Sequence, residues 1–357
     1  MTSQLACIRL GICVAVVCFL LNASETGQSP GPGTALAPSP NLDREVTFGE
    51  LRFVREFASA QDVKREHPVL DRALDIIAGP KTGEPPVDVL QAPYAVTTDS
   101  AHRVLVTDLG SKKVHIFDFG HSKYSRLQDS GDLLRSPVGV AADLAGNVYV
   151  ADSGLGNVLV YDARGKFRRF LKGSKGRESY FEAPWGIAID ATTDRIYVSD
   201  SPRHMVIVFD KNGHLLNRFG QRGGGTGAGE FRFPTQLAAA GGEIVVLDSG
   251  NRRVQVLDAG GHFQHEFYVP DADRRSGLAM DEDGRIYVSD AVVNRIQVFS
   301  REGRLLHTFG QMGTKAGEFE EAAGLWADSG RCLYVVDARN RRVQAFRIPA
   351  TGANGCP

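Results

Sequence analysis

No apolar run in this chain is long enough to cross a bilayer comfortably. The longest, Leu10 to Leu21 (LGICVAVVCFLL), has about a dozen residues, where a spanning helix needs roughly 20. A single positive charge, Arg9, precedes it, and Asn22-Ala23-Ser24 offers a cut site, so residues 1–24 read as a signal peptide. Charge of one sign is missing too: 41 Lys and Arg face 42 Asp and Glu, which argues against a general nucleic-acid binder. Cysteine is scarce. Three of the five lie within the first 18 residues, and the remaining two, Cys332 and Cys356, have no Cys or His at metal-ligand spacing. That argues against structural zinc. The nine histidines are scattered, and no Ser-His-Asp arrangement follows from their spacing.

Residues 25–44 are rich in Pro, Gly and Ser (ETGQSPGPGTALAPSPN) and read as a flexible linker with nothing to bury. The chain is therefore expected to be exported, periplasmic or extracellular, and either released or tethered at its N-terminus.

What the sequence does contain is a repeat. Six apolar runs end in aspartate: VLVTD, VYVAD, IYVSD, IVVLD, IYVSD and LYVVD, closing on Asp108, Asp152, Asp200, Asp248, Asp290 and Asp337. Six residues after each Asp a second apolar run starts, at Val114, Val158, Val206, Val254, Ile296 and Val343. Upstream lies a Pro-led run in four copies, at Pro93, Pro137, Pro184 and Pro234, with weaker copies at Ser276-Gly and Ala323-Gly. Turns rich in Asp and Gly separate the runs. Short alternating runs between such turns are hairpin signals. Four antiparallel strands repeated six times make a propeller, so the fold class is all-β.

The unit resembles the NHL repeat of six-bladed propellers. VVLDSGNRRVQVLDAGGHF (residues 245–263) and YVVDARNRRVQAF (334–346) carry the resemblance most clearly. It covers roughly residues 90 to 348 and assigns 90–349 to the propeller. Similar proteins include sensors and scaffolds of bacterial surface systems, RNA binders and a few lyases.

The last repeat stops after its third strand, and FGELRFVREF (48–57) has the missing strand's pattern. Residues 45–89 are thus expected to hold a closing strand for the blade of Asp337 and a short helix (68–80, PVLDRALDIIAGP), leaving 350–357 as a tail. An unpaired edge would otherwise invite aggregation. Cys332 should begin a strand on the face where the last strand ends, so a Cys332–Cys356 disulfide is expected, with two free thiols as the alternative.

In propellers the residues after the Pro positions ring the tunnel mouth. Here they are Tyr94, Val138, Trp185, Thr235, Ser276 and Ala323. Metal-dependent propeller hydrolases and lactonases place oxygen ligands there, and the amidating lyases place zinc-binding His. The six residues include no carboxylate and no imidazole. No metal or other cofactor is therefore expected. The six repeat aspartates read as structural turn caps, with Arg253, Arg295, Arg342 and Lys113 as their partners, and Tyr149, Tyr197, Tyr287 and Tyr334 as core. The leading expectation is a non-catalytic binding or scaffold module. It would take a protein, peptide or glycan on the loop face through Tyr94, Trp185, His204, Arg252 and Arg341. The alternative is a propeller lyase or lactonase with a loop-supplied metal site.

Overall fold

The computed structural model describes residues 47–48, 51–64, 88–128, 133–171 and 180–349. The expected signal peptide, linker, helix 68–80, Cys356 and tail lie outside these residues. Among the described residues no helix is long and apolar enough to cross a membrane.

Six antiparallel sheets stand around a common axis. Blade 1 consists of Pro93–Thr98, Val104–Asp108, Lys113–Asp118 and Lys123–Arg126. Blade 2 is Pro137–Ala142, Val148–Asp152, Asn157–Tyr161 and Phe167–Phe170. Blade 3 is Pro184–Asp190, Arg195–Asp200, Met205–Asp210 and Leu215–Gly220. Blade 4 is Pro234–Ala240, Glu243–Asp248, Arg253–Asp258 and Phe263–Tyr268. Blade 5 is Leu278–Met280, Ile286–Asp290, Arg295–Phe299 and Leu305–Phe309. Blade 6 takes Ala322–Ala327, Cys332–Asp337 and Arg342–Arg347 from the C-terminal end and Leu51–Phe57 from the N-terminal end.

The expected closure is therefore present. Leu51–Phe57 pairs with Arg342–Arg347 in the register Phe53 to Phe346 and Phe57 to Val343, with a bulge that leaves Val54 between the pairs. A further short strand, Thr47–Phe48, pairs on its outside. Phe57 is fully buried and meets Phe117 of blade 1 at 4.7 Å between ring centroids, so the seam is packed as well as hydrogen-bonded.

Strand-forming residues dominate the middle two strands of each blade, and these are almost entirely buried. The innermost strands touch their neighbours around the ring, blade 6 reaching blade 1. Glycine permits that approach. A Cβ on Gly186 would sit 2.3 Å from the Thr235 carbonyl oxygen, and one on Gly324 would sit 2.4 Å from that of Tyr94. Tyr149, Tyr197, Tyr287 and Tyr334 are core, each at most 2% exposed. Cys332, at the start of the second strand of blade 6, is buried and disulfide-bonded.

Candidate functional site

Each inner strand starts on the face where its blade's aspartate ends the second strand: Pro93 pairs with Asp108, Pro137 with Asp152, Pro184 with Asp200, Pro234 with Asp248 and Ala322 with Asp337. This is the loop face. All six repeat aspartates are buried there. Asp108, Asp152 and Asp200 each accept two consecutive backbone N–H groups from the segment entering the inner strand, as Asp152 does from Arg135 (2.7 Å) and Ser136 (3.0 Å). Burial pushes Asp108 up. The His115 side chain and the N–H groups of Gln91, Ala92 and Ser111 outweigh that and hold it well below the usual carboxylate range. His115 itself is buried rather than solvated, bonded to Ser111 Oγ (3.1 Å) and the Tyr124 hydroxyl (2.7 Å).

Blades 4 and 6 use a second scheme. Asp248 and Asp337 accept one entering N–H, from Arg232 and Glu320, and an arginine Nε, from Arg253 (2.9 Å) and Arg342 (2.7 Å). The two guanidinium groups also donate to loop carbonyls, Gly227 and Glu230 in one case, Lys315 and Glu318 in the other. Arg342 further pairs with Glu56 of the closing strand. The residues that follow, Phe233 and Glu321, lie at φ +52° and +62°. Their N–H groups reach the preceding blade, at His204 Nδ1 (3.0 Å) and Asn294 Oδ1 (2.6 Å). Arg295, expected to pair similarly, is exposed, because blade 5 departs from the scheme. Asp290 there accepts only from Val292 and Val293 of its own turn, and its Oδ2 has no partner among the described residues. Burial pushes its carboxyl up, and Asp271 and Asp273 add to that.

The expected binding residues fall into two sets. Trp185 Nε1 donates to the Tyr94 hydroxyl (2.9 Å), which donates to the Arg274 carbonyl (3.0 Å). Tyr94 belongs to blade 1, Trp185 to blade 3 and Arg274 to the segment entering blade 5. Groups from alternate blades meet only by crossing the axis, so this chain closes the tunnel at the loop face. Burial pushes the Tyr94 phenol far above its usual range, which keeps it a neutral donor and acceptor. His204 joins the cluster from the side: its ring lies 4.5 Å from that of Phe233, over which the Arg274 guanidinium sits at 4.3 Å.

His204, Arg252 and Arg341 occupy one repeat position, four residues after the Asp, together with Lys112, Gly156 and Asn294. All six have φ between +53° and +60°. Arg252 and Arg341 are exposed, on blades 4 and 6, away from the Tyr94–Trp185 pair.

On the opposite face the tunnel is open, forming a cavity of about 340 Å³. Its wall is mainly apolar, with Val140, Ile187, Leu237 and Leu325 among the residues, and Trp326 beside them. The mouth carries Asp99, Asp143, Asp190, Asp281, Glu282 and Asp328 at the ends of the inner strands, whereas blade 4 has Ala240 and Gly241 there. Among the described residues no three His, Cys, Asp or Glu converge as metal ligands.

A family described as a 6-bladed beta-propeller matches residues 186–276, and the NHL repeat matches residues 276–299. This chain is a six-bladed β-propeller carrying NHL repeats. No curated protein matches it by sequence. Among solved structures the propeller is similar to a gluconolactonase from Xanthomonas campestris, with 16% identity and TM-score 0.55 over 72% of this chain and 87% of that one. It is also similar to virginiamycin B lyase from Staphylococcus aureus, with 12% identity and TM-score 0.51 over 72% and 80%. A third is hydrazine synthase from Kuenenia stuttgartiensis, with 14% identity and TM-score 0.51 over 77% and 100%. Three such different activities on one architecture, at these identities, show the fold alone.

Sequence reasoning missed three features of the propeller. Phe233 lies in an entering segment, which the repeat does not define. Trp326, one of just two tryptophans, sits in a weak copy of the inner strand. The third feature is apolar: Val292 and Val293, 59% and 43% exposed, stand together in the turn after Asp290. No other repeat carries apolar side chains at both positions, and Leu155 and Pro202 occupy one of them singly. Tyr268 and Met312 are exposed on the same face at the borders of blade 5.

Proposed function

We propose that this propeller is a non-catalytic binding or scaffold module that takes a protein or peptide partner on its loop face. One observation carries the reading: Val292 and Val293 stand exposed in the turn of blade 5, and Tyr268 and Met312 are exposed at its borders, on the face that also presents Arg252 and Arg341. Exposed aliphatic groups rimmed by charge are typical of protein interaction sites. They suit a peptide surface better than a glycan. Trp185 and Phe233, half-buried in the centre, add flat surface to the same face. The test is a comparative pull-down from the native host. The wild type and an Ala240→Lys control on the opposite face should recover the same partner. Val292→Asp with Val293→Asp should lose it, and Arg252→Glu with Arg341→Glu should slow its association more at low salt. Equal recovery by all four proteins contradicts the proposal.

The enzymatic alternative, a lyase or lactonase, has one observation in its favour. Asp290 is a buried carboxylate with a raised pKa and an unbonded oxygen on the loop face, the kind of group that serves as an acid or base. Under that reading Asp290→Asn abolishes turnover of a lactone or cyclic ester; under the binding reading it leaves partner capture unchanged.

A further inference from the structure

We propose that the cavity on the face opposite the loops binds a small organic cation with an apolar body, an aromatic or alkyl ammonium. Its volume of about 340 Å³ lies within the range of small-molecule sites, which are largely apolar with a few polar groups fixing orientation. The walls give the apolar part its place. They come from all six inner strands, and the tunnel is sealed behind them by the Trp185–Tyr94–Arg274 chain.

Charge at the mouth selects the sign of the ligand. Six carboxylates line it, and two of them have an arginine: Arg103 pairs with Asp99 at 2.6 Å and Arg285 with Asp281 at 2.7 Å. The bonds found for Asp143, Asp190 and Asp328 come from neutral donors, among them Asn147 and the Tyr149 hydroxyl for Asp143, and Thr192, Thr193 and the Gly242 N–H for Asp190. Such bonds hold the carboxylates in place without cancelling their charge. A low-dielectric wall behind a mouth with an excess of carboxylates over arginines focuses the negative potential into the cavity. Trp326 adds a π-face for the cation. Its Nε1 donates to Thr98 Oγ1 at 2.8 Å, which fixes the ring between blades 6 and 1. An anion or a sugar acid meets the same field as repulsion.

The test uses benzyltrimethylammonium as probe, with phenylmethanesulfonate as its anionic counterpart, followed by calorimetry on the full chain. Saturable binding of the cation and none of the anion is expected. Because the mouth aspartates also hold their own turns, the variants are placed at Ala240, an exposed position in the blade that lacks the acid. Ala240→Lys should weaken the cation about threefold and Ala240→Asp should strengthen it by a similar factor. Trp326→Leu should weaken it about tenfold. Absence of saturable binding, equal binding of both probes, or indifference to the charge at position 240 overturns the proposal. Loss of the loop-face partner in the Val292→Asp and Val293→Asp variant bears on neither result, so the two sites fail separately.

Discussion

The two faces of this propeller are built from the same residue type used in opposite ways. On the loop face, aspartates end the second strands and reach across to the entering segments, and in blades 4 and 6 they are neutralised by buried arginines. On the opposite face, aspartates end the inner strands and hold their own turns, as Asp143 does with the Asn147 N–H and side-chain amide. The first arrangement seals the centre and leaves function to the periphery of the blades. The second leaves a hole with charge around it. A carboxylate satisfied by a cation is spent on structure, whereas one satisfied by neutral donors still projects a field.

The largest expected effect follows from the buried charge on the loop face. Arg342→Ala removes the buried guanidinium that Asp337 of the last blade shares with Glu56 of the closing strand. A loss of about 3–5 kcal/mol is expected in denaturant unfolding; a loss below 1 kcal/mol breaks the contrast between the faces. Asp108 comes next. Its folded-state carboxyl is depressed relative to the unfolded chain, so the stability it contributes is present above about pH 4 and is lost as the pH falls through and below that value. Asp108→Asn should cost on the order of 2 kcal/mol at neutral pH and flatten the acid limb of a stability–pH curve. An unchanged acid limb contradicts it. The smallest effect belongs to the opposite face. Tyr149→Phe removes one hydroxyl donor from Asp143 (3.1 Å) and should cost about 1 kcal/mol by thermal unfolding. A cost matching that of Arg342→Ala erases the difference.

The blades were legible in the sequence because a period imposed by geometry repeats in composition. The closing strand was legible because a missing fourth strand has to come from somewhere. The Asp-to-arginine pairing followed for Arg253 and Arg342 from the NRRVQ runs, but not for Arg295, whose blade has a shorter entering segment and leaves the side chain exposed. Position four after each Asp escaped notice as a left-handed site because five of its six residues are not glycine. The ring chemistry of Tyr94 and Trp185 was visible, but not that they bond each other across the axis, which depends on two blades a third of a turn apart. The open end of the tunnel was hidden for the same reason: which face a tunnel opens on is decided by side chains that meet from non-adjacent repeats.

The chain's two tryptophans report one face each, Trp185 beneath the loops and Trp326 in the cavity. Fluorescence quenching of Trp185→Phe and Trp326→Phe by caesium and by iodide, each scaled to neutral acrylamide, compares the two fields directly. Trp326, seen in the Trp185→Phe variant, should show a higher ratio of caesium to iodide quenching than Trp185 seen in the Trp326→Phe variant. Equal ratios at both tryptophans, or the reverse order, would contradict a propeller whose acidic field is confined to the open end of its tunnel.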